Sequence, residues 1–542
     1  RSLAIYNSII IALAISGLPV DPTTILLISI VDSNSNDVTT TKDIAPRQIN
    51  LALTYNANDM LVNWITKDEI TQPVVYYYIG DCMWDTDSDD EDDSKSSSSS
   101  SSSPSSSSAS HSKSNSKSNS KAEKKKRNTD IKMTMGTTKT YYPYKGYLHS
   151  VKLQHLSSGV GYCYRVGGNF VPTADATSWS KWRSFRTAPN REQPVVFAAF
   201  ADSGTTGNIV PNIRALAAED DVNLVLHAGD LSYGLEETKW DVFGDLVEPV
   251  TSSKPFMVVP GNWDVKPGGI NAFVNRYPMP LVYPTPITSL TKNVTSGEYL
   301  VSTQRNLFYS FEYTHAYVIM LSSYDPYEAG SLQYEWFKKQ LDRANTMRHQ
   351  YPWLIVVFHS PMYSSSKGHD GSDLKFRAAM EQLLHEAQVD LAISGHDHCY
   401  ERSFAVYDGD IIDSNPSLYT SGKGTIHVLA GTAGADQDPW LDRPEWTAHR
   451  ENSAGYSLIR LTPNLLEFEY TRMNGTIGDS FKIAKDRSGQ VGSTHFGLIA
   501  LVIFLLILIF PICAYTGLPS KIFNLIMLDP YNSRSLTRRQ IV

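Results

Sequence analysis

Five short apolar segments between residues 195 and 394 each end abruptly in residues that carry oxygen or nitrogen ligands. Stretches of helical periodicity at 208–218, 331–345 and 373–387 separate some of these segments, a rhythm typical of βαβ units. In such units the strands are parallel, and their carboxyl ends meet at one edge of a sheet. The sequence therefore predicts a mostly parallel, layered α/β domain with polar side chains gathered at that edge.

The residues at the ends of these segments are of the types that bind metal ions. In chain order they are Asp202, Asp230, Tyr233, Asn262, His359, His396 and His398. In extended backbone, side chains two residues apart point to the same side, so the last two histidines could each hold one of two neighbouring ions. One Gly-Asp or Gly-Asn pair alone would be an ordinary turn. Their repetition at successive strand ends favours a metal site.

The order of these residues resembles that of the calcineurin-like metallophosphoesterases, and Tyr233 makes it similar to the purple acid phosphatases in particular. Four further stretches match sequence motifs of that family: FYSF at 308–311, SSY at 322–324, HSPMY at 359–363 and YER at 400–402. The resemblance covers residues 44–483, because plant-type members carry an N-terminal fibronectin-like domain. It implies a layered α/β/β/α catalytic domain over residues 194–484 that hydrolyses phosphomonoesters.

The resemblance also implies which residues hold which ion. The first ion, Fe(III), would be held by Asp202, Asp230, Tyr233 and His398. The second, a divalent Fe, Zn or Mn, would be held by Asp230, Asn262, His359 and His396. A phenolate and carboxylates are hard anionic donors that suit a trivalent ion, whereas imidazoles and an amide oxygen suit a divalent one. Asp230 would bridge the two ions.

Catalysis in this family implies a hydroxide that bridges the two metals and attacks phosphorus even in acid. His369, in the loop SSSKGHDG, matches a family histidine that contacts phosphate or protonates the leaving alkoxide. Asp230 and His369 are therefore the predicted catalytic residues. The alternative for His369 is a solvent-facing loop residue without a role.

Trp263 departs from the family pattern, which has a phosphate-binding histidine after the asparagine. An indole can donate one hydrogen bond but cannot carry charge or serve as an acid. We expect Asn262, Trp263 and His369 to contact the substrate. We also expect the metals to bind, and turnover or substrate preference to differ from the family pattern. Asp264 is expected to orient a neighbouring group, and Cys399 to be a small buried residue.

Residues 44–188 read as a β-sandwich of the fibronectin-like type. Strands are predicted at 49–53, 60–64, 74–79, 147–153, 162–166 and 182–185. Residues 85–128 form an acidic, then Ser-rich, then basic insertion that cannot bury enough apolar area to fold, so we expect a disordered loop. Cys82 and Cys163 flank the insertion on neighbouring predicted strands, which allows a disulfide between them.

Residues 496–515 are uncharged and long enough to cross a bilayer as one helix. Residues 516–542 are basic, which places them in the cytoplasm and predicts a type I protein of the cell surface, secretory pathway or a lysosome- or vacuole-like lumen. For the apolar residues 1–43 two interpretations stay open, an export signal or edge strands of the first domain. Asn293 and Asn474 stand in acceptor triplets for N-glycosylation.

The formal net charge of −8 gives no indication of nucleic-acid binding. Two alternatives to a phosphomonoesterase remain: a phosphodiesterase or nucleotide pyrophosphatase of the same superfamily, and a metal-binding adhesion protein whose catalysis Trp263 has weakened. Plant-type members of the family often pair, so a homodimer is a further expectation.

Overall fold

The computed structural model describes residues 43–82, 130–168, 178–280 and 307–485. Several predicted features lie outside these residues: the N-terminal apolar segment, the insertion at 85–128, the acceptor Asn293, the membrane helix at 496–515 and the tail. Within the described ranges, no helix is both long enough and apolar enough to span a bilayer.

Eight strands in the first third of the chain form two four-stranded antiparallel sheets, ordered β1-β2-β6-β5 and β4-β3-β7-β8. Side chains from both sheets, such as Val62 and Val75, share one core. The predicted pair Cys82 and Cys163 forms a disulfide. The strands are β1 Arg47–Leu53, β2 Met60–Thr66, β3 Pro73–Ile79, β4 Lys132–Met135, β5 Thr137–Lys139, β6 Tyr147–Leu153, β7 Gly161–Gly168 and β8 Arg183–Arg186.

The strands of the second domain form two sheets, in line with the α/β/β/α layering that the resemblance implies, and each sheet mixes parallel with antiparallel pairs instead of being mostly parallel. Their orders are β11-β10-β9-β21-β22-β23-β18 and β12-β13-β14-β15-β19-β16-β17, with β20 paired to β16. The strands are β9 Val195–Phe200, β10 Val222–His227, β11 Phe256–Val258, β12 Tyr309–Tyr313, β13 Ala316–Met320, β14 Trp353–Val357, β15 Leu391–Ser394, β16 Tyr400–Tyr407, β17 Asp410–Asp413, β18 Leu418–Thr420, β19 Thr425–Ala430, β20 Thr447–Glu451, β21 Gly455–Leu461, β22 Leu465–Arg472 and β23 Ile477–Ala484.

Parallel pairing occupies the part of each sheet that the apolar segments build. Strands β9 to β11 pair in parallel, as do β13, β14, β15 and β19. Antiparallel pairs, such as β21 with β22, complete both sheets except at the edge strand β18, which pairs in parallel with β23. The helices are α1 Ile209–Ala218, α2 Glu237–Thr251, α3 Asn262–Val265, α4 Gly269–Arg276, α5 Leu332–Thr346 and α6 Leu374–Glu386.

The layering follows from alternation along the buried strands. In β13, Tyr317 and Ile319 pack in the cluster that holds Phe337 of α5 and Met380 of α6. The intervening Val318 belongs instead to the large core that includes β9, β10 and the sandwich. A strand that is covered on both faces has to be apolar at every position, which is why it reads as a continuous apolar run.

Helix α2 connects the sandwich to the second domain. The backbone N–H of Gln48 in β1 donates to Glu248 Oε2 at 2.8 Å, and Thr251 Oγ1 donates to the carbonyl of Ile49 at 2.8 Å. From β7, the hydroxyl of Tyr164 donates to the carbonyl of Ser252 at 2.6 Å. The sandwich is thus fixed against the second domain by hydrogen bonds from two of its strands.

Candidate metal centre

The seven predicted ligands lie together at the carboxyl ends of β9, β10, β11, β14 and β15. The backbone there is unusual, because φ is +60° at Asp202, +56° at Asp230, +54° at Tyr233 and +78° at His396. Residues other than glycine rarely adopt this left-handed region, and such strain concentrates at functional sites. Gly395 permits the close approach, since a Cβ there would lie 2.6 Å from Asp202 Oδ2.

Three of the predicted ligands form one side of the site. The hydroxyl of Tyr233 lies 2.8 Å from Asp202 Oδ1 and 2.8 Å from His398 Nε2. His398 Nε2 is 3.9 Å from the same oxygen of Asp202. The other ring nitrogen, Nδ1, lies 3.0 Å from the carbonyl oxygen of Asp436, which can only accept. In the neutral ring Nε2 therefore presents a lone pair to the site.

The other four ligands form the second side. Asn262 Oδ1 lies 3.2 Å from both His359 Nε2 and His396 Nδ1. His359 Nε2 is 3.6 Å from Asp230 Oδ1 and 4.0 Å from Asp202 Oδ1, so His359 and the two carboxylates form one cluster. Since His359 Nδ1 lies 2.7 Å from the carbonyl oxygen of Ala228, its Nε2 also carries a lone pair.

The donor set fits metal ions. Burial raises the pKa of Asp202 well above its usual range, and the charge of Asp230 raises it further. Burial also raises the pKa of Asp230 to about 7. Burial also lowers the pKa of His359 to about 3, so this ring is neutral. Buried oxygens and imidazole lone pairs that face one another repel unless a cation lies between them, and a cation favours the ionised carboxylates.

His369 lies beside the second side of the site. Its ring stacks on that of His396, with centroids 3.9 Å apart, and its Nδ1 is 3.0 Å from Asp397 Oδ1. The hydrogen bond to Asp397 raises the pKa of His369 against the opposing effect of burial. Asp397 is fully buried, and its other oxygen accepts a short hydrogen bond from Ser364. The predicted site residues do not include Asp397, although it stands between His396 and His398 in the sequence.

Trp263 and Asp264 occupy different places around the site. The indole of Trp263 lies edge-on to the ring of Tyr233, with centroids 5.8 Å apart. The fully buried carboxylate of Asp264 accepts backbone N–H bonds from Asp230, Leu231 and Gly261 at 2.8, 3.2 and 2.9 Å. Asp264 thus orients its neighbours, as expected.

Sequence reasoning missed Asp438, whose Oδ2 accepts the backbone N–H of His398 at 2.8 Å. A separation of 40 residues along the chain gives no local signal for this contact. Cys399 is buried and free, as expected. Asn474 lies exposed in a turn, where its Oδ1 accepts from the backbone of Thr476 at 3.0 Å, and its glycosylation stays a prediction.

Comparison with known proteins places the fold and site in a class. Residues 196–400 match the family model described as calcineurin-like phosphoesterase. The second domain is therefore a metallophosphoesterase domain. Residues 46–187 match the model for the purple acid phosphatase N-terminal domain, and 424–480 that for the iron/zinc purple acid phosphatase-like protein C.

Individual relatives narrow the class to one family. Purple acid phosphatase 21 of Arabidopsis thaliana is 33% identical over 340 residues, which cover 61% of this chain and 70% of the relative. Human acid phosphatase type 7 is 28% identical over 372 residues, covering 64% and 76%. The chain belongs to the purple acid phosphatases and is a phosphoric monoester hydrolase, which confirms the predicted resemblance and enzyme class.

A solved structure supports the fold. The purple acid phosphatase from yellow lupin (Lupinus luteus) seeds superposes with a TM-score of 0.64 at 20% identity, covering 82% of this chain and 75% of that one. The structure of PhoD gives a TM-score of 0.52 at 13% identity, covering 82% and 91%. At these identities the likeness shows the arrangement of domains and sheets alone.

Proposed function

We propose that this phosphatase works through two metal ions held by the seven convergent side chains. Asp202, Tyr233 and His398 would hold a ferric ion, and Asn262, His359 and His396 a divalent one, with Asp230 shared between them. The observation that carries the proposal is the convergence on one space of carboxylate, amide and phenol oxygens with imidazole lone pairs. When bound, the two ions supply Lewis acidity that acidifies water and neutralises phosphate oxygens.

His369 is the residue we propose to hold the proton for the leaving group. Because Nδ1 faces Asp397, Nε2 is the nitrogen left to point toward a substrate, and 40% of the side chain is exposed. A proton held at Nε2 can pass to the departing alkoxide oxygen, which otherwise leaves as an unstable anion. Asp397 acts through His369, as a positioning residue.

The Asp397→Asn variant is predicted to slow the hydrolysis of esters with a poor leaving group much more than that of esters with a good one. An asparagine cannot balance the charge of the protonated ring, so proton delivery weakens by about 10²-fold, the usual contribution of general acid catalysis. We expect this loss with an alkyl phosphate and a much smaller one with p-nitrophenyl phosphate, whose phenolate leaves without a proton. Steady-state kinetics with both esters measure the ratio.

The same substitution in a His369→Ala background is the control for this prediction. In that background, Asp397→Asn should no longer change the ratio of the rates with the two esters, because His369, which carries the proton, is absent. Equal losses for both esters in the single variant would assign Asp397 a purely structural role.

Three substrates distinguish the proposed phosphomonoesterase activity from the other activities of the superfamily. Metal-loaded protein should hydrolyse p-nitrophenyl phosphate faster than bis(p-nitrophenyl) phosphate, a diester, and should release terminal phosphate from ATP. Preference for the diester, or release of pyrophosphate from ATP, would favour the phosphodiesterase or nucleotide pyrophosphatase alternative.

The position of Trp263 beside Tyr233 supports one alternative of another class, a metal-binding adhesion protein with weakened catalysis. Protein that contains both metals and hydrolyses none of the three substrates would favour this alternative. Recovery of turnover in Trp263→His would then assign the loss to the indole.

We further propose a type I membrane protein whose phosphatase domain faces the cell exterior or an endomembrane lumen. The uncharged residues 496–515 and the basic residues after them support this topology. Attachment of glycans to Asn474 would be consistent with it. Resistance of the chain to alkaline extraction from membranes, lost on deletion of 496–515, is the expected result. Extraction of the full chain into the soluble fraction would contradict the anchor.

A further inference from the structure

The helical turn that carries Asn262 also places a lysine ammonium on the face of an indole. Lys266 follows α3 directly, and its Nζ lies 3.2 Å from the centroid of the Trp263 ring. Trp263 is itself fixed at the metal centre, because its backbone N–H donates to Asp230 Oδ1 at 2.9 Å and its ring contacts Tyr233. The cation–π contact therefore holds a positive charge at the rim of the site.

In the described part of the chain, Lys266 lacks the ion pairs that hold several other cations of the domain. Arg348 and Lys485 pair with Asp390, and Arg402 pairs with Asp479. Among the residues that the structure describes, no carboxylate forms an ion pair or hydrogen bond with Lys266 Nζ, which contacts the indole and lies close enough for its positive charge to act on the Asp230 carboxyl. An ammonium that is held in place but forms no ion pair is available to bind an anionic group.

The rim position determines which part of a substrate this ammonium can meet. The phosphoryl group that reacts has to reach the ligands of the two metals, at the centre of the site. A group attached to it that extends toward Trp263 meets Lys266 Nζ, which lies over the indole. An uncharged leaving group gains little from a cation there, whereas a second phosphate gains a charge-assisted hydrogen bond.

We propose that Lys266, held by Trp263, is a specificity-determining residue that binds a second phosphate of the substrate. The preferred substrates would then be phosphoanhydrides, such as pyrophosphate or a nucleoside diphosphate. This inference rests on the proposed function of the metal centre. In pyrophosphate hydrolysis, water forms one P–O bond and one bridging P–O bond breaks. The leaving phosphate keeps that electron pair, and the protons of water are shared between the two phosphates and solvent.

Kinetics with pyrophosphate and p-nitrophenyl phosphate test the inference on the metal-loaded full chain. Lys266→Met should lower the ratio of kcat/KM for pyrophosphate to that for p-nitrophenyl phosphate by about tenfold or more, mainly through KM, because one hydrogen bond between charged groups is lost. Lys266→Arg, which keeps the charge and the aromatic contact, should restore most of the ratio. Metal analysis of each variant verifies an intact centre.

Lys338 provides a matched control for this experiment. It is exposed on α5, and its Nζ lies 5.8 Å from the ring centroid of Tyr334 four residues earlier, so it too is a lysine beside an aromatic ring. Lys338→Met should leave the ratio unchanged. An equal ratio in Lys266→Met and the parent protein would overturn the inference while leaving the phosphatase intact.

A binding measurement separates this failure from failure of the proposed function. Calorimetry with imidodiphosphate, a pyrophosphate analogue with a bridging nitrogen, should show about tenfold weaker affinity in Lys266→Met, and a smaller change with orthophosphate. If the parent protein with both metals hydrolyses neither substrate, the proposed function fails, and this affinity difference still decides the role of Lys266. Equal imidodiphosphate affinities in Lys266→Met and the parent protein would overturn the proposed role of Lys266.

Discussion

The His359→Ala variant should lose the second metal ion and at least about 10³-fold in phosphomonoesterase turnover. His359 Nε2 faces Asn262 Oδ1 and Asp230 Oδ1, and alanine offers no replacement ligand. Removing charge stabilisation from a buried site costs rates on this scale. Metal analysis and p-nitrophenyl phosphate hydrolysis measure the two losses.

His349→Ala is the control for that variant, because His349 is exposed and hydrogen bonds to its neighbour Gln350. It should retain both ions and full turnover. A His359→Ala protein that kept two ions and unchanged turnover would contradict the proposed set of ligands.

The Asp264→Ala variant should be both unstable and poorly active. It removes the acceptor for three backbone N–H groups, and each buried donor left without a partner costs about 1–3 kcal/mol. The free energy of unfolding should therefore fall by about 3 kcal/mol or more. Turnover should fall by about 10- to 100-fold, because Asp230 and the turn before Asn262 lose their support.

Urea unfolding and kinetics at saturating metal measure the two effects of Asp264→Ala. Asp342→Ala, at an exposed position on α5, is the control and should change the free energy of unfolding by less than about 0.5 kcal/mol. Unchanged stability in Asp264→Ala would show that water or another group replaces the carboxylate.

Much of the site could be predicted because each ligand has a local signal. Every ligand follows an apolar run, and the end of a parallel strand determines where the next residues lie. His396 and His398 are an example, since β15 ends at Ser394 and Gly395 permits close contact with Asp202. The sequence alone therefore predicts a shared location for the ligands, and the family resemblance predicts their pairing.

Contacts made across long chain separations could not be predicted in the same way. The family resemblance implies two β layers, but the strand orders within them depend on such contacts, with β21 paired to β9 and β19 between β15 and β16. Strands β4 and β5 are three or four residues long and largely exposed, so they lack an apolar pattern. The contact of Lys266 with Trp263 depends on side-chain direction at the end of α3, which spacing does not determine.

The visible absorption spectrum of the purified protein, with metal analysis, tests the central claim most directly. A ferric ion bound to the phenolate of Tyr233 should give a charge-transfer band, with two metal ions per chain. The band should disappear in Tyr233→Phe, which keeps the ring and removes the oxygen ligand. A colourless protein with two divalent ions would contradict the ferric site, and a folded protein that binds no metal would contradict the two-metal mechanism.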